Sequence, residues 1–473
     1  MRHYGHLYID GAWVEPSSPR RHELINPTTE RPFASVSLGG PEDVDRAVRA
    51  ARAAFASFGA TSREERLALL DRIIEVYGSR QAEVASVLTE EMGSPAKATV
   101  QSAGPLEQFR EARRTLAAYE FERPLDGALI QREPIGVCGL ITPWNWPVQS
   151  PCTKLAYALA AGCTIVLKPS EYTPLSAILL TEILHAAGVP KGVFNLVNGD
   201  GPGVGAAISR HPDIDLVSFT GSTRAGILVA SDAAPTVKRV AQELGGKSAN
   251  IILPDADLTA AARWSVARGF FNSGQSCHAP SRILVQKDQL AHVTAVMVAA
   301  AREMKVGDPT DPATDLGPVA NKTQFERIQR YIQAGIDEGA HLALGGPGRP
   351  DGLAVGYFVR PTIFADVTPA MTIAREEIFG PVLSVMPYGD VEEAIAIANA
   401  TPYGLGGYVF AASREQGLAV ARRIRAGRVA VNGAAALTSA PMGGYKQSGN
   451  GREMGVFGLE EYLETKAIFG VAA

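Results

Sequence analysis

Apolar positions along the chain follow two different rhythms. Over the first hundred residues they recur at helical spacing, with Val44, Ala47, Val48, Ala51, Phe55 and Phe58 in one stripe and Leu67, Leu70, Ile74 and Tyr77 in another. The second stripe lies behind Ser62-x-x-Glu65, a capping box in which hydroxyl and carboxylate each satisfy a free backbone N–H at a helix start. Ahead of both, Leu7-Tyr8-Ile9 and Ala12-Trp13-Val14 flank Asp10-Gly11, a pair suited to a two-residue turn whose centres need positive φ, so the chain should open with a small β-ribbon.

From Ile135 onward, short apolar runs at 137–141, 164–167, 194–197 and 216–219 alternate with helical patterns near 148–160, 174–187 and 223–232. This alternation predicts a parallel, doubly wound sheet that binds ligands at the carboxyl ends of its strands. A second series begins after Glu243-Leu244-Gly245-Gly246, with strand-like runs at 250–253, 283–285, 382–386 and 408–410 and helices near 257–270, 289–304, 323–337 and 391–400. The expected fold class is therefore α/β with two doubly wound parallel-sheet domains that meet near residue 246. The stretch Gly345-Gly346-Pro347-Gly348-Arg349-Pro350 reads as a loop between elements.

Composition narrows the function. A length of 473 residues suits two or three domains, and 46% hydrophobic with 20% charged residues describes folded chain rather than disorder. With 45 Lys+Arg against 49 Asp+Glu and no block of like charge, nucleic acid is not an expected partner. The uncharged stretch 155–167, which contains Gly162, falls short of the roughly 20 residues a membrane span needs and reads as buried core. The N-terminal Met1-Arg2-His3-Tyr4-Gly5-His6 lacks an apolar signal core, so a cytoplasmic protein is expected. Four cysteines without a C-x-x-C pair or a neighbouring His at ligand spacing suggest neither a disulfide scaffold nor a metal site. Gly 48 and Pro 31 show no collagen-like period, so they must punctuate particular turns.

Some of those turns carry chemistry. Cys277 ends Asn272-Ser273-Gly274-Gln275-Ser276-Cys277, where a glycine permits a sharp turn that could present a thiol between two domains; a small buried core residue fits the position equally well. Cys138, Cys152 and Cys163 sit within apolar patterns and read as core. Glu243 stands where a strand meets a turn at the domain boundary, although a solvated loop acid is the commoner situation for a single Glu. In Pro143-Trp144-Asn145-Trp146-Pro147 an amide is pinned between prolines and aromatics, as a donor for an oxyanion requires, or as a rigid turn would have it. Gly221-Ser222-Thr223-Arg224-Ala225-Gly226 leads from a strand into a helix and offers free N–H groups to a phosphate, although it lacks the G-x-G-x-x-G spacing. Lys168-Pro169-Ser170-Glu171 supplies a cation and a carboxylate for ribose hydroxyls, or simply a surface ion pair.

Taken in order, these segments with Glu376-Glu377-Ile378-Phe379-Gly380-Pro381-Val382 and Pro441-Met442-Gly443-Gly444-Tyr445-Lys446-Gln447-Ser448-Gly449 resemble the aldehyde dehydrogenase superfamily over nearly the whole chain. The resemblance implies NAD-dependent oxidation through a covalent thioester. Cys277 matches the nucleophile, Glu243 the base that activates the hydrolytic water, and Asn145 the oxyanion donor. Relatives that transfer the acyl group to coenzyme A lack that glutamate, so hydrolysis to a carboxylate is expected. Cofactor roles carry over to Trp144, Lys168, Glu171, Gly201, Gly221, Ser222, Gly226, Leu244, Glu377 and Phe379, with Glu171 favouring NAD over NADP. The resemblance also implies a cofactor domain of 1–114 and 134–245, a catalytic domain of 246–446, and an oligomerisation extension of 115–133 and 447–473 that builds a homodimer or homotetramer.

Two departures bear on specificity. His278 follows the nucleophile where many relatives carry a small polar residue, and adjacency in sequence does not make a Cys-His dyad, so no catalytic role is assigned to it. The segment 432–439 matches the loop at the substrate entrance and contains no Arg or Lys, which favours a largely apolar aldehyde. The run from Gly274 to Arg282, together with Val431-Asn432-Gly433-Ala434-Ala435, resembles instead a bacterial subgroup that includes enzymes acting on oxo-acid or pyridine-bearing aldehydes, so a semialdehyde or oxo-acid aldehyde is the alternative. A thiol hydrolase or acyl transferase working without nicotinamide, and a binding protein reusing the fold, complete the alternatives.

Overall fold

The computed structural model describes residues 1–470 and contains two seven-stranded sheets and two three-stranded ones. In the first large sheet the strands lie in the order Arg239–Glu243, Leu216–Thr220, Val137–Ile141, Thr164–Lys168, Phe194–Leu196, Leu7–Ile9, Ala12–Val14. The first five are parallel, and the opening ribbon adds to one edge antiparallel. The ribbon turns where expected, with Asp10 at φ +51° and Gly11 at φ +80°.

The second large sheet runs His341–Leu344, Thr362–Ala365, Val382–Tyr388, Pro280–Gln286, Ser248–Ile252, Gly406–Phe410, Arg428–Val431 and is parallel except at its His341–Leu344 edge. The loop expected at 345–350 joins that edge strand to the next, with Gly345, Gly346 and Gly348 all at positive φ.

Helices cover both faces. The capping box forms at the start of Arg63–Met92, where Ser62 Oγ accepts from Glu65 N at 3.2 Å and Glu65 Oε2 accepts from Ser62 N at 2.7 Å. The helix Gln149–Ala161 is buried all round from Pro151 to Ala161, as the apolar run from Leu155 onward requires. Its one cation, Lys154, is neutralised by Glu453 at 2.6 Å and accepted by Ser218 Oγ at 2.8 Å; a charge this deep persists only when paired. That pair draws the segment after the second sheet back onto the first, where Leu244 N also donates to Ser448 O.

Two features were not legible in the periodicity. Arg20–Asn26 and Arg31–Leu38 form an antiparallel hairpin joined by Arg2–Tyr4, so the N-terminal region is not only helical. The small sheet of Glu122–Leu125, Ala128–Pro134 and Leu463–Phe469 begins later than 115, because the helix Val100–Ala118 occupies the start of that range. Of the extension expected at 447–473, residues 471–473 lie outside the described residues. No helix among the described residues is long and apolar enough to cross a membrane.

Candidate active site

In the first sheet the chain moves outward from Val137–Ile141 in one direction, then returns to lay Leu216–Thr220 on its other side. A crevice opens at the carboxyl ends of two strands whose following loops diverge, which is where doubly wound sheets bind ligands. The loop after Val137–Ile141 carries Trp144 and Asn145, and the loop after Leu216–Thr220 carries Gly221 and Ser222. The second sheet meets this crevice with the amino ends of its strands. Cys277 precedes Pro280–Gln286, Glu377 and Phe379 precede Val382–Tyr388, and Gly245-Gly246 precede Ser248–Ile252. One cavity of about 530 Å³ results, lined by Trp144, Asn145, Gly221, Ser222, Glu243, Leu244, Cys277, Glu377 and Phe379.

Cys277 is half-buried, whereas Cys138, Cys152 and Cys163 are buried. Its presentation depends on three successive residues in the left-handed region, Asn272, Ser273 and Gly274, at φ +57°, +54° and +72°. The two non-glycine positions, Asn272 and Ser273, each cost about 1–3 kcal/mol and survive only where surrounding bonds over-determine them. Here Asn272 Nδ2 donates to the carbonyls of Asn145 and Gln275, Gln101 Nε2 donates to Asn272 Oδ1 at 2.7 Å, and Ser273 Oγ donates to Gly317 O at 2.8 Å. Gly274 has a second constraint, because a Cβ there would lie 2.1 Å from Gly380 O. Gly274→Ala should therefore lower the midpoint of thermal unfolding; a midpoint equal to that of the parent protein would contradict the close approach.

Asn145 Nδ2 donates to Gln275 O at 3.0 Å. That bond fixes the amide rotamer and uses one of its two N–H groups, leaving the other for an incoming oxygen. Burial and the nearby carboxyls of Glu377 and Glu243 push the Cys277 thiol up to about 12, opposed by the backbone N–H groups of Cys277 and His278. Glu243 is buried with neither oxygen hydrogen-bonded, and burial followed by Glu453 raises its carboxyl well above the usual range, with Lys154 and Arg452 acting the other way. Glu377 accepts from Gly246 N at 2.9 Å, and burial lifts its carboxyl to about 6. A Cβ on Gly245 would lie 2.5 Å from Glu377 Oε2, so the bare backbone there lets the carboxyl approach. Phe379 packs edge-on against Trp144, centroids 5.4 Å apart, from a backbone at φ +61°.

The remaining cofactor candidates fall into two groups. Lys168 is buried, its ammonium 3.5 Å from Glu171 Oε2 and 2.7 Å from Pro169 O, at the carboxyl end of the strand beside the switch point. Gly201 opens the turn Gly201–Gly205, with open space where a Cβ would stand. Gly226 is closely packed: a Cβ there would lie 2.6 Å from a Leu244 methyl, and its carbonyl accepts from Gln242 Nε2 at 2.6 Å. Ser222 caps the helix Thr223–Ala233, accepting from Ala225 N at 3.3 Å.

Three residues that line the cavity beside the thiol went unassigned in the sequence reading: His278, Arg268 and Arg428. Arg268 lies in the helix Leu258–Phe270, and Arg428 begins the strand Arg428–Val431. The entrance loop does lack cations, but it is not the source of cationic side chains here; they arrive from a helix and a strand that only the tertiary fold brings together. Asn272, whose left-handed backbone and amide hold the Cys277 loop, has no local signal in the sequence that marks this part.

The sequence model of the aldehyde dehydrogenase family matches residues 13–468. A Pseudomonas sp. protein named 3-succinoylsemialdehyde-pyridine dehydrogenase is 55% identical, covering 99% of each chain. The crystal structure of aldehyde dehydrogenase C from Pseudomonas syringae, a cysteine-to-alanine mutant complexed with NAD+ and octanal, is 54% identical with a TM-score of 0.98, over 99% of this chain and 97% of that one. A Mycobacterium tuberculosis aldehyde dehydrogenase complexed with NAD+ is 39% identical with a TM-score of 0.97 over the full length of both. With a half-buried thiol, a buried carboxyl and an amide donor facing one crevice, this chain belongs to the aldehyde dehydrogenase family.

Proposed function

We propose that the cavity oxidises an aldehyde to a carboxylic acid with NAD+, through a thioester on Cys277. The observation that carries this reading is the convergence of Cys277, Asn145 and Glu243 on one cavity whose other wall is a helix N-terminus. The donor set suits a dinucleotide. Ser222, at the N-terminus of the helix Thr223–Ala233, offers its backbone N–H to a pyrophosphate beside Gly221, whose own N–H is held by Glu243 O at 3.1 Å; the Lys168 and Glu171 pair suits the hydroxyls of the adenosine ribose, and Glu377 with Phe379 suits the nicotinamide riboside. The Glu171 carboxylate would repel a 2′-phosphate, which favours NAD+ over NADP+. When bound, the dinucleotide accepts hydride from the substrate carbon.

The protein's part begins as the Cys277 thiolate attacks the carbonyl carbon and forms a C–S bond. The second N–H of Asn145 and the backbone N–H of Cys277 hold the oxygen that becomes an oxyanion, an arrangement worth about 10²–10³ in rate. Loss of hydride leaves a thioester. Glu243, as carboxylate, then takes a proton from water; the hydroxyl bonds to the acyl carbon, the C–S bond breaks and the acid leaves. The three-stranded sheet with exposed Leu125 and Phe469 is assigned to assembly as a homodimer or homotetramer.

The substrate is read as a largely apolar aldehyde, from the entrance loop and from the octanal bound by the Pseudomonas syringae relative. A second reading rests on Arg428: among the described residues it forms no ion pair, and its guanidinium donates to Met442 Sδ at 3.1 Å. A free guanidinium in the cavity suits an aldehyde with a second oxygen acceptor, as does the name of the Pseudomonas sp. relative. A panel of aliphatic, aromatic, keto and ω-carboxy aldehydes, each with NAD+ and NADP+ and monitored at the reduced cofactor, should give highest kcat/KM with medium-chain aliphatic aldehydes and NAD+. A preference for keto or carboxy aldehydes that Arg428→Leu abolishes would establish the second reading instead.

A further inference from the structure

Cys277 Sγ lies 3.8 Å from Nδ1 of His278, and the other ring nitrogen, Nε2, lies 2.7 Å from an Arg268 guanidinium nitrogen. A guanidinium in a protein is always protonated and has no acceptor, so it must donate. Nε2 therefore carries the lone pair, and the proton of the neutral ring resides on Nδ1, the nitrogen that faces sulfur. We propose that Arg268 and His278 act as a positioning pair, holding a neutral imidazole N–H against the Cys277 sulfur to stabilise its thiolate without taking its proton. This rests on the reading of Cys277 as nucleophile.

The arrangement is the reverse of a Cys-His dyad, in which the ring accepts the thiol proton. Its lone pair is already engaged, and a second proton would place an imidazolium against Arg268 and near Arg428. Burial, Arg268 and Arg428 together hold the imidazolium down to about 3, so the ring stays neutral through the physiological range. The need for such a donor is set first by burial and then by Glu377 and Glu243, all of which raise the thiol. Supports fix the ring's place: Tyr408 Oη donates to His278 O at 2.7 Å, and the Arg268 guanidinium lies 5.8 Å from the Phe271 ring centroid. The N···S distance is long for the free enzyme, and contacts of this type tighten as charge builds on the acceptor.

The test is the pH dependence of Cys277 alkylation by iodoacetamide in the full-length protein, with the labelled cysteine identified by mass spectrometry and loss of NADH formation followed in parallel. His278→Ala should shift the thiol inflection upward by about one unit, a roughly tenfold slower alkylation at neutral pH. His278→Asn, whose amide nitrogen takes the place of Nδ1, should recover most of that loss. Arg268→Leu should free Nε2 and add a second inflection on the acid side, still below the ordinary imidazole range because burial and Arg428 remain, which mere loosening of the loop would not produce. An inflection unchanged in His278→Ala, or an Asn variant no better than Ala, overturns the proposal while leaving the nucleophile in place. If the label that stops NADH formation sits elsewhere than on Cys277, the nucleophile assignment itself fails.

Discussion

Cys277→Ala should reduce aldehyde-dependent NADH formation to background with every aldehyde in the panel. In the proposed route the thiol sulfur forms the covalent bond to the substrate, and loss of a nucleophile from a cooperating set typically costs about 10⁴–10⁶ in rate. Neither Asn145 nor Glu243 can take over, since one is a neutral amide and the other sits where its role begins only after the thioester exists. Three other cysteines occur, but all are buried and none lines the cavity. NAD+ should still raise the thermal midpoint of the variant, because a ligand that binds only the folded state stabilises it irrespective of turnover. Activity near that of the parent protein would overturn the thioester route.

Glu243→Gln should separate the two halves of the reaction. Rapid mixing with NAD+ and a good aldehyde should still give a burst of about one NADH per site, while steady turnover falls by about 10²–10⁴, the usual contribution of a general base. Loss of the burst as well would mean that Glu243 acts before hydrolysis or that the site has collapsed. In the parent protein, burial and Glu453 raise the Glu243 carboxyl well above its ordinary value. A base works when deprotonated, so hydrolysis-limited turnover should keep rising with pH well beyond the ordinary carboxylate range. The Gln variant should lose that rise.

Legibility differed between elements for identifiable reasons. Helices such as Lys322–Asp337 and strands such as Val137–Ile141 pack one stripe or both faces against a single core, and the period of their apolar residues records it. Arg20–Asn26 buries only Leu24, so it offers no alternation to detect and its pairing with Arg31–Leu38 comes from tertiary neighbours. The nucleophile loop shows the same division. Gly274 could be suspected as a turn residue, but the left-handed backbone at Asn272 and Ser273 is imposed by Gln101, Asn145 and Gly317, which are remote in sequence.

The sequence by itself determined the two α/β lobes, the boundary near Gly246 and the motifs that place Cys277, Glu243 and Asn145 in one family's pattern, because each is encoded in local periodicity, turn chemistry or spacing. Only the tertiary structure decided which charges face the thiol. Arg268 and Arg428 stand 160 positions apart, one on a helix and one at the amino end of a strand, and electrostatic influence depends on distance through space. The same fold decided the tautomer of His278. Its neighbour in sequence is Cys277, but the group that fixes its proton is Arg268, presented by the helix that ends just before the nucleophile loop.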